Sequence, residues 1–160
     1  MTTEMMVWQG LMDQAYAKWQ ADGKKWSYRQ FLANLDAVER KAVILGNFNY
    51  QVCNGGLQQW VDNGYATATA RELLDILEEI NTENSRRVIK ILQSLAPHVD
   101  MTCTENRGFG HNYWTHDEDG DREYGPPAWL EEIDALTDEY YEFYEEFTPE
   151  VEEYLAKLTA

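Results

Sequence analysis

Positive charge is scarce in one part of this sequence and ordinary in the rest. Residues 1–100 carry 12 acids and 10 bases, whereas residues 101–160 carry 17 acids and 3 bases. Between 117 and 153 there are 16 acids and a single base, Arg122. Neutralising phosphates takes clustered Lys and Arg, so nucleic acid and anionic membrane are excluded as direct partners of this region. A field of one sign instead steers something positive: a basic protein, a polyamine or a metal cation. Cysteine is almost absent as well. Cys53 and Cys103 are the only two, too few for a secreted disulfide framework and wrongly spaced for a metal pair. Both are read as reduced thiols of a cytoplasmic protein, with Cys53 in the core. No apolar run approaches the roughly 18 residues that span a bilayer. The opening MTTEMMVWQG lacks the cationic start and apolar run of a signal peptide.

Motifs for chemistry are equally thin. Asp117, Asp119 and Asp121 have the opening spacing of a calcium loop, but Arg122 stands where the turn glycine is needed and Ala128 where the bidentate glutamate is needed. His98, His111 and His116 match no helical zinc spacing. Gly108-Phe109-Gly110 lacks the strand–glycine–helix setting of a phosphate loop. No catalytic residue, metal or cofactor is expected, and the chain is not read as an enzyme.

What the sequence does contain is a core. Apolar residues make up 44% of the chain, with 6 Trp, 10 Tyr and 5 Phe, enough for one domain over 1–160. Residues 1–97 read as a near-neutral helical core, 98–127 as a long irregular acidic loop, and 128–160 as acidic C-terminal helices. The fold class expected is all-α, a single-domain multi-helix bundle. Trp8, Leu11, Met12, Ala15, Tyr16 and Trp19 recur at helical spacing in a first helix ending near Asp22. Ser27 with Gln30 forms a capping box, in which side chain and backbone satisfy each other's free amides. The box opens a second helix running on through Leu35, Val38, Ala42 and Leu45; the alternation at Phe48, Tyr50 and Val52 also fits a short strand, but the surrounding pattern favours continued helix. Asn54-Gly55-Gly56 breaks it, and a short helix from Leu57 to Asp62 stops at Asn63-Gly64. Thr69 with Glu72 reads as another capping box, and Thr82 as the cap of the helix after that. A long helix covers Ala128 to Phe147, and Thr148-Pro149 caps a separate last helix.

The functional reading rests on the long helix. At about 100° per residue, Glu131, Asp134, Asp138, Glu142 and Glu145 fall on one stripe, widened by Glu132, Glu139 and Glu146. Successive members stand about 4.5–6 Å apart along the axis, comparable with phosphates on a DNA strand, given a rise of about 3.4 Å per nucleotide and a winding path. Asp117, Glu118, Asp119, Asp121 and Glu123, together with Glu150, Glu152 and Glu153, are candidates for a second row. Like charges four residues apart destabilise a helix by roughly 0.2–0.5 kcal/mol per pair, and an ordinary solvated face would interleave Lys.

The stretch from Tyr50 to Gly64, with Asn54-Gly55-Gly56, Gln59-Trp60 and Asn63-Gly64, resembles the signature of a bacterial family of acidic DNA-mimic proteins. The resemblance covers roughly residues 30–95. It implies an all-α domain that blocks a DNA-binding transcription factor by imitating DNA, and it implies a structural role for Asn54, Gly55, Gly56, Gln59, Trp60, Asn63 and Gly64. Together with the local charge it makes the expected function inhibition of a DNA-binding protein: a transcription factor, a nuclease, or a defence effector opposed by a phage or plasmid protein. A homodimer would extend the charged surface. The competing expectation is an immunity-type protein that plugs a toxin through exposed aromatics such as Tyr113, Trp114 or Tyr124. A metal-dependent enzyme built on residues 111–123 is a third.

Overall fold

The computed structural model describes residues 5–22, 25–98, 114–124 and 129–160. Six α-helices dominate the described residues: α1 (Met6–Asp22), α2 (Tyr28–Ala33), α3 (Ala37–Asp62), α4 (Tyr65–Ile80), α5 (Glu83–Leu95) and α6 (Trp129–Thr159). A 3-10 turn, Ala96–His98, follows α5, and two three-residue strands, β1 (Trp114–His116) and β2 (Arg122–Tyr124), pair antiparallel before α6. The class is all-α, as expected, and the hairpin lies within the stretch read as irregular.

The helices share one core. Helix α3 is its centre and packs against α1, α4 and α6. Two aromatic groups fill it. Tyr16, Trp19 and Phe31 stack with one another, Trp19 and Phe31 at 4.3 Å between ring centroids, and Tyr28 links them edge-on to Tyr65. Phe48, Trp60, Tyr140 and Phe143 form the second group through edge-to-face contacts, an arrangement the ring quadrupole favours.

Several local expectations change. The Ser27–Gln30 capping box is present, but it opens a helix of only 6 residues. Asp36 and Glu39 form a further box that starts α3. One long second helix is therefore two: Asp36 Oδ1 accepts from the Glu39 amide at 2.8 Å and Glu39 Oε1 from the Asp36 amide at 3.2 Å, which favours a new helix start over continued helix. Thr69 caps nothing: α4 starts at Tyr65, and the buried Thr69 hydroxyl donates to the Tyr65 carbonyl at 2.7 Å. Glu72, its expected box partner, is bound by Arg40. Thr82 does cap α5, in a box with Ser85.

Pro149 starts no separate helix, since α6 runs through it for 31 residues. Proline removes only its own N–H, leaving the Glu145 carbonyl without that donor, while Phe147, Val151 and Leu155 stay buried on either side and hold the helix in place. Cys53 is exposed rather than in the core, with its thiol 3.6 Å from Asn49 Oδ1.

Candidate functional site

The inner face of α6 fixes how its outer face is presented. Ile133, Tyr140, Phe143, Phe147, Val151 and Leu155 are buried at helical spacing. Three polar side chains on α6 join it to α3 at the Asn54-Gly55-Gly56 break, where the backbone leaves helical geometry. Gly55 lies at φ −146° and Gly56 at φ 80°, ψ 177°, a conformation essentially confined to glycine. The amide of Leu57 has lost its helical acceptor there and donates to Thr137 Oγ1 at 3.0 Å. The hydroxyl of Tyr140 donates to Asn49 Oδ1, and that of Tyr141 to the Val52 carbonyl, both at 2.6 Å.

The motif residues all serve this corner. Asn54 donates to Gln59, while Gln59 and Asn63 both donate to Gln51 Oε1 at 2.8 and 2.9 Å. Trp60 is fully buried, and Gly64 takes the left-handed conformation that starts α4. Gln51 and Thr137 belong to the same corner and were not singled out from the sequence. Their partners lie 8 and 80 residues away, beyond any local signal.

With its inner face fixed, α6 turns its acids outward. Glu131, Asp134, Asp138, Glu142 and Glu145 are exposed, as are Glu132 and Glu146, and Glu139 is half-buried. From Glu131 to Glu145 the ridge runs about 21 Å, close to six base-pair rises of duplex DNA. Among the described residues, Arg87 lies 3.7 Å from Glu142, and His98 lies 3.1 Å from Glu132. Among the described residues no cation pairs with Glu131, Asp134, Asp138, Glu145 or Glu146.

The acids expected in a second row are placed differently. Glu152 is buried, and its carboxylate accepts from the amides of Val7 and Trp8 at 2.8 Å each. Those are orphan donors in the first turn of α1, where a negative charge also meets the helix dipole favourably. Glu150 accepts from Thr82 and Asn84 of the α5 cap, and Glu153 pairs with Lys157.

In the hairpin, Asp117, Glu118, Asp119 and Asp121 are exposed. Asp117 Oδ1 accepts from the amides of Asp119 and Asp121, which with Gly120 at φ 84° closes the turn. The hairpin's described contacts are mainly between its own strands. The ridge acids are thus brought together by one helix, whereas the hairpin acids form a group of their own. The side chains of Glu123, Trp114, Tyr124 and His116, and all of Tyr113, His111 and Cys103, lie outside the described residues. Among the described residues no three His, Cys, Asp or Glu side chains are grouped to hold a metal ion, and no helix is long and apolar enough to cross a membrane.

Fold and ridge together define an acidic helical protein displaying ordered carboxylates on one rigid element. Residues 33–158 match the family model described as DMP19-like protein, and the chain belongs to that family. It is a family of DNA-mimic proteins. The match extends beyond the 30–95 stretch in which the sequence motif lies and takes in most of α6. Neither the curated proteins nor the solved structures yielded a match.

Proposed function

We propose that this protein inhibits a DNA-binding protein by occupying its cationic DNA-binding surface with the α6 ridge. The observation that carries the reading is the run of exposed carboxylates from Glu131 to Glu145, largely without internal counter-ions, in a chain of the DMP19-like family. Glu131, Asp134, Asp138, Glu142, Glu145 and Glu146 stand in for phosphates of one strand. The exposed acids of the 117–121 turn, with Glu123, add a flanking contact. Partner arginines and lysines that neutralise DNA phosphates neutralise these carboxylates instead, and no enzymatic step is involved. The target is a transcription factor, a nuclease or an anti-phage defence effector. Such a role suits a cytoplasmic protein, and for a defence target a phage or plasmid origin.

The test is capture from host lysate at low salt, comparing wild type with Asp134→Lys, Asp138→Lys, Glu142→Lys and Glu145→Lys combined. The expected result is a DNA-binding protein that duplex DNA displaces and that the variant fails to retain. A specific partner retained by the charge-reversed variant would overturn the reading and point to toxin neutralisation through another surface.

A further inference from the structure

The ridge is not uniformly carboxylate. Tyr141 lies at its α3-facing edge, about 40° around the helix from Glu145 and one turn along from both Asp138 and Glu145. The residue is 40% exposed, and its side chain is held rather than free. The hydroxyl is bonded to the Val52 carbonyl, and the Tyr144 ring meets it edge-on at 6.2 Å. Burial raises the Tyr141 pKa, and the nearby charges of Cys53 and Asp138 raise it further.

The same helix shows what such a pairing of ring and acid accepts. Arg87 lies over the face of Phe143, 4.1 Å from the ring centroid, with its guanidinium 3.7 Å from Glu142. Phe143 and Glu142 are adjacent on α6, and α5 supplies their arginine. Around Tyr141 the carboxylates of Asp138 and Glu145 offer the same chemistry on the solvent side. A planar guanidinium can stack on a ring while bonding a carboxylate, whereas an ammonium ion is compact and more strongly hydrated.

We propose that Tyr141, flanked by Asp138 and Glu145, is a specificity-determining residue that makes the ridge prefer arginine over lysine in its partner. The proposal rests on the reading of α6 as the partner surface and adds the chemistry of the group received. It separates this ridge from a plain polyanion, which binds by charge density alone.

Deca-arginine and deca-lysine peptides are the probes, titrated against wild type, Y141F, Y141L and the four-lysine ridge variant at one salt concentration. Any acidic surface favours arginine somewhat, so the informative quantity is the change in the arginine-to-lysine affinity ratio. The expected ratio falls about three- to fivefold in Y141L, as for one exposed cation–π contact, and is kept in Y141F. Affinity for deca-lysine should stay within about twofold in both, which also reports that the fold and ridge charge are intact. An unchanged ratio in Y141L, with ridge-dependent binding of both peptides, would overturn the role of Tyr141. Peptide binding equal in wild type and the four-lysine variant would overturn the ridge reading itself.

Discussion

Charge is handled in opposite ways on α3 and on α6. Along α3, Glu39 meets Lys18, Arg40 meets Glu72, and Lys41 meets Glu79, so acids and bases from neighbouring helices are matched across their contacts. Along α6, Asp134 and Asp138 stand four residues apart with no cation between them, as do Asp138 and Glu142, and among the described residues Arg87 from α5 and His98 from the turn after it lean in. Both helices bury apolar side chains in the same core. The difference lies outside, and it shows that this chain can pair its charges where pairing serves the fold. Tolerating repulsion along α6 costs a few tenths of a kcal/mol per pair, and partner binding is the proposed return.

That contrast can be broken from either side. The largest expected effect is on binding: the four-lysine ridge variant should lose partner affinity by on the order of a hundredfold or more while keeping its helical circular dichroism, because several charge contacts reverse together. On the packed side, Glu152→Ala strands the first-turn amides of α1 in a buried setting. It should cost about 3 kcal/mol in urea unfolding, since bonds to an ionised acceptor are the strong ones. Gly56→Ala should cost roughly 2 kcal/mol, because a side chain at φ 80° is strained and its Cβ would lie 3.2 Å from Thr137 Oγ1. The smallest effect has the opposite sign. Asp138→Lys replaces two repulsive pairs with attractive ones and should stabilise the protein by about 0.5–1 kcal/mol while weakening partner binding. A ridge selected only for solubility would show the gain in stability without the loss of binding.

The sequence revealed the outward stripe of α6 because burial of Ile133, Tyr140, Phe143 and Phe147 leaves only one face for the acids. The same reasoning failed wherever a local pattern had two structural meanings. Leu32, Leu35 and Val38 keep helical spacing across a real break, which hides the Asp36–Glu39 box. Thr69 and Glu72 show box spacing inside a continuous helix, where the threonine bonds back to Tyr65 and the glutamate serves Arg40. Thr148-Pro149 marks a helix start only if nothing holds the chain helical on both sides, and here Phe147 and Val151 do. Glu152 sits among six acids between 142 and 153 and by sequence is one more surface charge. Its role depends on the start of α1, some 145 residues earlier. Tertiary hydrogen bonds of this kind, like the grip of Thr137 on Leu57, leave no periodicity to read.

The central claim is that charge on α6, rather than its shape, is what the partner recognises. The direct measurement is affinity for the captured partner across roughly 50–200 mM salt, with wild type set against Asp134→Asn, Asp138→Asn, Glu142→Gln and Glu145→Gln combined, which removes charge at nearly constant shape. The account predicts a steep loss of affinity with salt for the wild type, and for the variant weaker binding with a much shallower slope. Equal affinity and equal slope for the two proteins would contradict it.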